Sequence, residues 1–239
     1  MCAVLPHTDC RTQKLEDRAD MSSFARFTEV GRKIVAVGRN YKEHAAELGN
    51  KMPEKPLLFL KPTSSYLISG NILIPPGCSE LHHEVELGVV VSSTCRRVSE
   101  SAAMQHVAGY ALALDMTARD FQTEAKAKGH PWTMAKCFDT ACPVSAFVPR
   151  DRIPDASGLQ LWCAVNGETR QSGSTSDMHF SVPFLLSYIS RYITLEPGDL
   201  VLTGTPAGVG PVRPGDVIEA SVSDQSGQIA HIKVGVEKS

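Results

Sequence analysis

Two glutamates that stand one residue apart are the first candidates for chemistry in this sequence. Glu84 and Glu86 belong to the segment LHHEVELGVV, residues 81–90, whose odd positions are mostly apolar. Alternate side chains of a β-strand share a face, so both carboxylates point the same way with their backbones about 7 Å apart. Gly88 follows on that face and is expected to leave empty space beside them. The simpler explanation is a strand with one solvated face, on which two like charges repel only weakly.

A third acid favours an interpretation as a metal site. Asp115 ends the predicted strand VAGYALALD, and Ala111 and Ala113 on the same face are expected to leave room above them. Three hard oxygen ligands, without a cysteine or a calcium-binding loop, suit Mg²⁺ or Mn²⁺. The alternative is a metal-free pair in which Glu84 and Glu86 act as acid and base, which leaves Asp115 without a role.

Positively charged side chains follow this third acid. Arg119, Gln122 and Lys126 occupy positions i, i+3 and i+7 of a predicted helix over residues 118–128 and so share one side of it. Arg119 and Gln122, in the first turns, are candidates for binding an anionic substrate group, whereas we interpret Lys126 as part of a solvated face. Lys136 stands in the mostly apolar run WTMAKCFD. It is either a snorkelling lysine or a buried charge beside a metal-bound substrate.

A histidine and a glutamate share a face of a short predicted helix. His44 and Glu47 are spaced i, i+3 in KEHAAELG, a segment of good helix formers that Gly49 closes. A histidine held by a carboxylate is a common general base, although a surface pair explains the same spacing equally well. The Gly-rich and Pro-rich flanks would let this helix open and close as a lid.

The elements that must position these residues are mainly strands. Asn166 begins an Asn-Gly hairpin signal, and Pro-Gly-Asp occurs twice as a turn before a Val/Leu/Ile strand. For the helix over 118–128, Thr117 is expected to cap the start together with Asp120, and Gly129 to end it. Many short strands and few helices predict a mainly β, α+β fold, a sandwich or barrel rather than a doubly wound sheet. GTPAGVG lacks the lysine and the helix of a phosphate loop, so nucleotide binding is not expected.

Composition restricts the classes of function that remain. The 239 residues are 42% hydrophobic and 21% charged with a net charge of −2, which suits one ordinary globular domain. Without a lysine-arginine run or an apolar stretch near 20 residues, we expect neither a nucleic-acid partner nor a membrane span. Seven cysteines without CxxC spacing predict reduced thiols in an intracellular protein. Residues 1–25 are predicted to be a flexible tail without a signal peptide or a convincing mitochondrial presequence, and residues 33–239 a single catalytic domain.

Seven separated motifs resemble the fumarylacetoacetate hydrolase family. They are VGRNYKEH, LFLKPTSSY, HHEVELGVV, GYALALDMTARD, KCFDTACPVSAFVP, VNGETRQSGSTSDMHF and LEPGDLVLTGTPAGVGPVRPGD, in order from about residue 33 to the C-terminus. The resemblance is to the short, single-domain branch of the family. It implies a mixed β-sandwich roll, a bound Mg²⁺ or Mn²⁺ and a homodimer, in mitochondria or the cytoplasm.

The resemblance also assigns roles to residues. It implies metal ligands at Glu84, Glu86 and Asp115, a lid pair at His44 and Glu47, and substrate contacts at Arg119, Gln122, Lys136 and Thr205. The implied activity is C–C bond cleavage in a 2-oxo acid, by hydrolysis of acylpyruvates or decarboxylation of oxaloacetate. An isomerase or hydratase of a related dienol acid, and a catalytically silent binding protein, are the alternatives.

Overall fold

The computed structural model of the protein describes residues 24–49 and 51–239. Within them the strands are β1 Ile34–Gly38, β2 Leu57–Lys61, β3 Tyr66–Leu67, β4 Ile72–Ile74, β5 Leu81–His83, β6 Val85–Val91, β7 Val107–Leu114, β8 Thr117–Ala118, β9 Cys142–Pro143, β10 Val148–Pro149, β11 Gln160–Val165, β12 Glu168–Ser174, β13 Leu200–Leu202, β14 Gly210–Val212, β15 Val217–Asp224 and β16 Gly227–Lys238. The α-helices are α1 Phe27–Val30, α2 Lys42–Glu47, α3 Glu100–Ala103, α4 Arg119–Lys128, α5 Thr133–Lys136 and α6 Val182–Ser190. Short 3₁₀ turns lie at Thr63–Ser65, Met104–His106, Arg150–Arg152 and Thr175–Asp177.

Two mixed sheets form the body of the fold. The six-stranded sheet has the order β10-β7-β6-β13-β1-β2, with β1 parallel to β13 and the other neighbours antiparallel. The five-stranded sheet has the order β12-β11-β15-β16-β4, and smaller sheets join β14-β5-β8 and β3-β9. This arrangement confirms the predicted mainly β fold and contradicts a doubly wound α/β sheet.

The inner strands of the six-stranded sheet are buried on both faces. Val35 and Val37 of β1 belong to the main apolar cluster, which also contains alternate residues of β6, β7, β11 and β15. The intervening Ile34 and Ala36 belong to a second cluster on the opposite face. All seven residues of β6 are consequently buried, so the expectation of one solvated face for this segment is wrong.

Small residues on the carboxylate face do not create space. A Cβ on Gly88 would lie 2.9 Å from Leu200 Cδ1 and 3.2 Å from the Ala111 carbonyl oxygen. Ala111 and Ala113 are themselves buried in the second apolar cluster. The expected empty space is therefore filled by the neighbouring strand β13, and the small side chains are needed for close packing between strands.

The strand predicted around Glu84 is interrupted at that residue. β5 ends at His83 and pairs with β14 and β8, whereas β6 starts at Val85 and pairs with β7 and β13. The Val85 amide donates to Gln171 Oε1 at 3.0 Å instead of to a strand neighbour. The chain thus changes sheets at Glu84.

The local signals for turns and helix ends had mixed outcomes. The hairpin between β11 and β12 forms, with φ of 52° at Asn166 and 80° at Gly167, and Gly129 ends α4 in the left-handed conformation. The predicted cap at Thr117 is wrong, because Ala118 precedes α4 without a side-chain cap. The Thr117 hydroxyl instead donates to the Asp115 carbonyl oxygen at 3.0 Å.

The chain is already packed before residue 33. Of the predicted tail, residues 1–23 lie outside the described residues, but Phe24 is buried and its ring lies 6.5 Å from that of Phe147. Phe27 is 2% exposed and contacts Tyr66 edge to face. Among the described helices, none has the length and apolar character needed to cross a bilayer.

Candidate active site

The three candidate metal ligands meet in the structure. One carboxylate oxygen from each of Glu84, Glu86 and Asp115 lies within 4.8 Å of the others, and we call these residues the acidic triad. Their exposed fractions are 6%, 2% and 1%. Such burial of three carboxylates is expensive unless cations compensate for the lost hydration.

Strand register explains why the acids converge. β6 and β7 are antiparallel, with Val85 opposite Leu114 and Glu86 opposite Ala113. Asp115, the next residue after β7, therefore lies beside Glu84 and donates its backbone N–H to the Glu84 carbonyl at 2.8 Å. Because the partner of Glu86 is only an alanine, a third carboxylate fits next to the two glutamates.

Three buried or half-buried cations balance the triad. Lys136 Nζ lies 2.9 Å from Glu84 Oε2 and 2.5 Å from Asp115 Oδ2, and Arg119 donates to Glu84 Oε1 at 2.6 Å. Lys61, at the end of β2, donates to Asp115 Oδ1 at 2.8 Å and is 1% exposed. Sequence reasoning missed Lys61, although a lysine that closes the apolar run LLFLK carries the same signal as Lys136.

The pKa values of the two glutamates are shifted in opposite directions. Burial raises the pKa of Glu84, but Lys136 and then Arg119 outweigh it, so that its pKa is well below the ordinary value. Among residues 24–49 and 51–239, no cation forms such an ion pair with Glu86. Burial, together with the charges of Asp115 and Glu84, raises its pKa well above the ordinary value. Burial lowers the pKa of Lys136, but Asp115 and Glu84 reverse the shift, so the ammonium stays charged.

The donor set fits a hard divalent cation. The triad offers carboxylate oxygens, the ligands that Mg²⁺ and Mn²⁺ prefer, and its three members leave coordination positions open for water or substrate. The pKa of Glu86 is raised first by its burial and then by the negative charges of Asp115 and Glu84, which repel its carboxylate. A cation among the three oxygens would remove that repulsion.

Helix α2, the lid helix, brings the predicted general base to the same place. His44 Nδ1 lies 3.2 Å from Glu47 Oε2, and His44 is 4% exposed. Both Glu47 oxygens lie near the Gly208 N–H, at 3.0 and 3.2 Å. The two residues therefore form the expected pair, but His44 is buried and not a surface histidine.

Helix α4 supplies the expected row of polar side chains. Arg119 donates to Gln122 Oε1 at 2.7 Å, and Lys126 Nζ reaches the same oxygen at 3.2 Å. Lys126 is exposed by surface area, as expected, but its ammonium lies 5.3 Å from the ring centre of Trp132 and borders the cleft. Its interpretation as part of a solvated face was therefore incomplete.

Thr205 is held by a buried residue that sequence reasoning missed. The Thr205 hydroxyl donates to the Val85 carbonyl at 2.8 Å and accepts from Gln171 Nε2 at 2.8 Å. Gln171 Oε1 also accepts from the Val85 amide at 3.0 Å. An isolated glutamine in a hairpin strand gives no sequence signal, because its importance comes from the sheet change at Glu84.

One cleft collects nearly all the predicted side chains. Its lining includes Glu84, Glu86, Asp115, Arg119, Gln122, Lys136, His44 and Thr205. Glu47 reaches the cleft only through His44. The free volume inside the cleft is only about 30 Å³, well below the usual range for a small-molecule site, so a substrate needs the cleft to open.

Comparison with known proteins agrees with this geometry. A family described as fumarylacetoacetate (FAA) hydrolase C-terminal matches residues 33–236. The chain belongs to the fumarylacetoacetate hydrolase family. The match spans both sheets and every residue of the cleft named above.

Relatives within this family carry names that bear on its chemistry. The chain is 56% identical over 200 residues to the mitochondrial oxaloacetate decarboxylase of Dictyostelium discoideum, covering 83% of this chain and 92% of the relative. It is 57% identical over 199 residues to the human protein named oxaloacetate tautomerase FAHD1, mitochondrial, covering 83% and 90%. The crystal structure of fumarylpyruvate hydrolase from Pseudomonas aeruginosa, in complex with Mn²⁺ and pyruvate, superposes with a TM-score of 0.83 at 32% identity, covering 87% and 91%.

The raised pKa of Glu86 predicts how the metal-free protein responds to pH. A carboxyl whose pKa is higher in the folded state holds its proton more tightly there, so its contribution to the free energy of unfolding is full below about pH 4.5 and declines as pH rises toward the folded-state pKa. We expect Glu86→Gln to abolish this decline. At pH 7 in EDTA the variant should melt at a higher temperature than the wild type, and added Mg²⁺ or Mn²⁺ should no longer raise its Tm.

Thermal melts in EDTA and in metal, at pH 5 and pH 7, test this expectation. Glu124→Gln is the matched control, because Glu124 is an exposed glutamate whose partner is Lys128. A Glu86→Gln protein that gains as much Tm from metal as the wild type would rule out the acidic triad as the metal site.

Proposed function

We propose that this protein is a divalent-metal-dependent enzyme that breaks a C–C bond in 2-oxo acids. The reactions are decarboxylation of oxaloacetate to pyruvate and hydrolysis of acylpyruvates to pyruvate and a carboxylic acid. The observation that carries the proposal is the buried acidic triad with a charged lysine against it, under a histidine-bearing helix. The names of the curated relatives, and the Mn²⁺ and pyruvate in the Pseudomonas structure, support it.

The substrate's 2-oxo acid end is assigned to one side of the cleft. Arg119 and Gln122, already joined by a hydrogen bond of 2.7 Å, bind the C1 carboxylate. Thr205 borders the same cleft, and Gln171 fixes the position of its side chain. A bidentate guanidinium contact gives this end of the substrate one orientation.

Cleavage leaves its electron pair on the 2-oxo acid fragment. A divalent metal ion on the acidic triad, Mg²⁺ or Mn²⁺, supplies a Lewis acid for the negative charge that develops on the 2-oxo oxygen. Lys136 remains an ammonium because Asp115 and Glu84 raise its pKa against the effect of burial. Its fixed charge stabilises the same developing enolate.

Hydrolysis and decarboxylation then differ in what His44 must do. With Nδ1 occupied by Glu47, Nε2 of His44 is left to take a proton from water. That water attacks the distal carbonyl carbon of an acylpyruvate, the bond to C3 breaks, and C3 receives a proton. Oxaloacetate needs no nucleophile, since CO₂ leaves and the resulting enolate is protonated at C3.

Tautomerisation of oxaloacetate is a second candidate, which the names of the human and bovine relatives favour. It uses the same stabilised enolate but only exchanges a proton between C3 and the 2-oxo oxygen. This reaction belongs with the isomerase alternative predicted from the resemblance. The curated names also contain the word mitochondrial, which favours mitochondria over the cytoplasm for this chain.

The decisive experiment follows oxaloacetate and acetylpyruvate with purified protein in Mg²⁺ and in excess EDTA. We expect loss of both substrates in metal, with pyruvate formed, and background rates in EDTA. Pyruvate assays separate cleavage from a shift in keto–enol ratio, which changes absorbance without forming pyruvate. Absorbance change without pyruvate would replace cleavage by tautomerisation, and no change of either kind would favour the silent binding protein.

A variant of the lid helix tests the division of labour between the two cleavage reactions. His44→Ala should lower acylpyruvate hydrolysis by roughly 10² or more, because the general base is lost. Oxaloacetate decarboxylation should fall much less, since it requires no activated water. Equal losses of the two activities would contradict the assigned role of His44.

A homodimer, implied by the family resemblance, is the proposed assembly. Strand β2 is an edge strand of the six-stranded sheet, and its Leu60 is 49% exposed. Leu60 borders a groove of about 640 Å³ that is lined largely by apolar residues, which suits an interface between subunits. Sedimentation should give twice the chain mass of 25.8 kDa, and Leu60→Glu should shift the protein toward the monomer. A monomeric wild type would contradict this assembly.

A further inference from the structure

Arg39 has an unusual backbone conformation at the rim of the cleft. It connects β1 to the lid helix with φ of +58°, a value that L side chains rarely adopt. The next residue, Asn40, is fully buried and holds this turn in place. Its side chain donates to the carbonyls of Phe180 and Thr203 at 3.0 and 2.8 Å and accepts from the Phe180 amide at 2.7 Å. The fold therefore enforces the position of Arg39, and such enforced strain is typical of functional sites.

The Arg39 side chain borders the same cleft as the acidic triad. Among the described residues no carboxylate lies within ion-pairing distance of its guanidinium, and no hydrogen bond from it is formed. A partly buried arginine without an anion is uncommon, because guanidinium groups removed from water are normally paired.

Lys126 is the second cation that pairs with no carboxylate in the part of the chain that the structure describes. Its ammonium lies 3.2 Å from the Gln122 amide oxygen and 5.3 Å from the ring centre of Trp132. Lys128 on the same helix shows the contrast, since it reaches Glu124 at 2.6 Å on the exposed side. Burial and the charges of Arg119 and Arg39 lower the pKa of Lys126, so like charges crowd this rim.

The cleft contains more positive than negative side chains. The three carboxylates of the triad are matched by Lys61, Lys136 and Arg119. Arg39 and Lys126 add two positive charges, and Glu47, which reaches the cleft only through His44, adds one negative charge. One positive charge is therefore in excess, and a divalent cation on the triad would increase that excess. The excess positive charge therefore favours binding of a ligand that carries more than one negative charge.

A row of hydrogen-bonded side chains connects the acidic triad with Lys126 at the rim of the cleft. Glu84, Arg119, Gln122 and Lys126 form one chain of contacts of 2.6, 2.7 and 3.2 Å from the triad outward. Lys126 follows Arg119 by seven positions, about 10 Å along the helix axis, and its side chain reaches back toward Gln122. A ligand whose 2-oxo acid end lies at Arg119 therefore extends toward Lys126 and Arg39.

We propose that Arg39 and Lys126 form a second anion subsite that binds the distal carboxylate of a 2-oxo dicarboxylate. The proposal rests on the proposed function and narrows its substrate class. Acylpyruvates with a neutral tail, such as acetylpyruvate, gain nothing from these two cations, whereas oxaloacetate and longer 2-oxo dicarboxylates do.

For oxaloacetate the two cations also slow the decarboxylation step, in contrast to their favourable effect on binding. Decarboxylation moves the electron pair of the C3–C4 bond into the enolate and releases C4 as neutral CO₂. Cations on the C4 carboxylate stabilise the charge in its starting position more than in the transition state, where it has begun to leave. The subsite therefore tightens binding of oxaloacetate and restrains its decarboxylation.

Kinetics of Arg39→Gln and Lys126→Gln on the metal-loaded enzyme test the proposal. Each should raise KM for oxaloacetate by about tenfold, the value of one charge-assisted contact, while kcat for pyruvate formation does not fall. KM for acetylpyruvate should change by less than about twofold. Arg39→Lys and Lys126→Arg should restore most of the affinity for oxaloacetate, and Lys128→Gln is the control for loss of a lysine from the same helix.

A structural role for these residues gives a different result. Misplacement of the cleft would lower kcat for both substrates together, without rescue by the conservative variants, and would overturn the proposal. Unchanged KM for oxaloacetate in the double variant would overturn it as well.

Binding of unreactive acids separates this proposal from the proposed function. Malate and lactate share a 2-hydroxy acid end, and only malate carries a second carboxylate. Calorimetry on the metal-loaded protein should show tighter binding of malate than of lactate, and Arg39→Gln with Lys126→Gln should remove the difference. If neither oxaloacetate nor acetylpyruvate is converted, the proposed function fails while this comparison still decides the subsite; equal binding of the two acids to the wild type rejects it.

Discussion

The need to bury three carboxylates at one point determines much of this structure. Glu84, Glu86 and Asp115 are almost inaccessible, and desolvated charges of one sign are tolerated only with compensation. Two lysines and an arginine come from β2, α5 and α4 to provide it. The ionic contacts add to backbone hydrogen bonds that already fix these elements, such as the one from the Arg119 amide to the Glu80 carbonyl at 2.7 Å.

The backbone also adapts to the three buried carboxylates, because the chain changes sheets at Glu84. A continuous strand would place Glu84 within a regular ladder, where its backbone groups would pair with a neighbouring strand. The interruption instead lets the Glu84 carbonyl accept the Asp115 amide, while Gln171 satisfies the Val85 amide. Since Gln171 also binds the Thr205 hydroxyl, one glutamine connects the break beside the acidic triad with Thr205.

The sequence predicted the class of fold and the types of site residue better than the packing around them. Turn signals and strand composition are local, so the hairpin at Asn166 and the end of α4 at Gly129 were correct. The space expected beside Gly88 was wrong because it is filled by Leu200, more than a hundred residues further along the chain. Burial of β6 on both faces likewise depends on a second apolar cluster that alternation within one strand does not reveal.

The sequence identified site residues whose spacing forms a local pattern, and it missed residues whose roles depend on contacts with distant parts of the chain. Two glutamates two positions apart are visible in any strand, and family resemblance added Thr205. Gln171 has no pattern of its own, since its role arises from the break at Glu84. Lys61 was overlooked although it closes an apolar run, and its role becomes visible only in its contact with Asp115. Lys126 was visible on the right helix face, but only the turn of its ammonium toward Trp132 distinguishes it from a solvated lysine.

Under the proposed function, one enolate would be common to the decarboxylase, tautomerase and hydrolase activities that the names of the relatives give. The triad and Lys136 would stabilise that charge, so the outcome would depend on groups at the far end of the substrate. The two proposals assign this part to His44, Arg39 and Lys126. None of them belongs to the triad, so a change at any of them leaves the ion pairs of the triad intact.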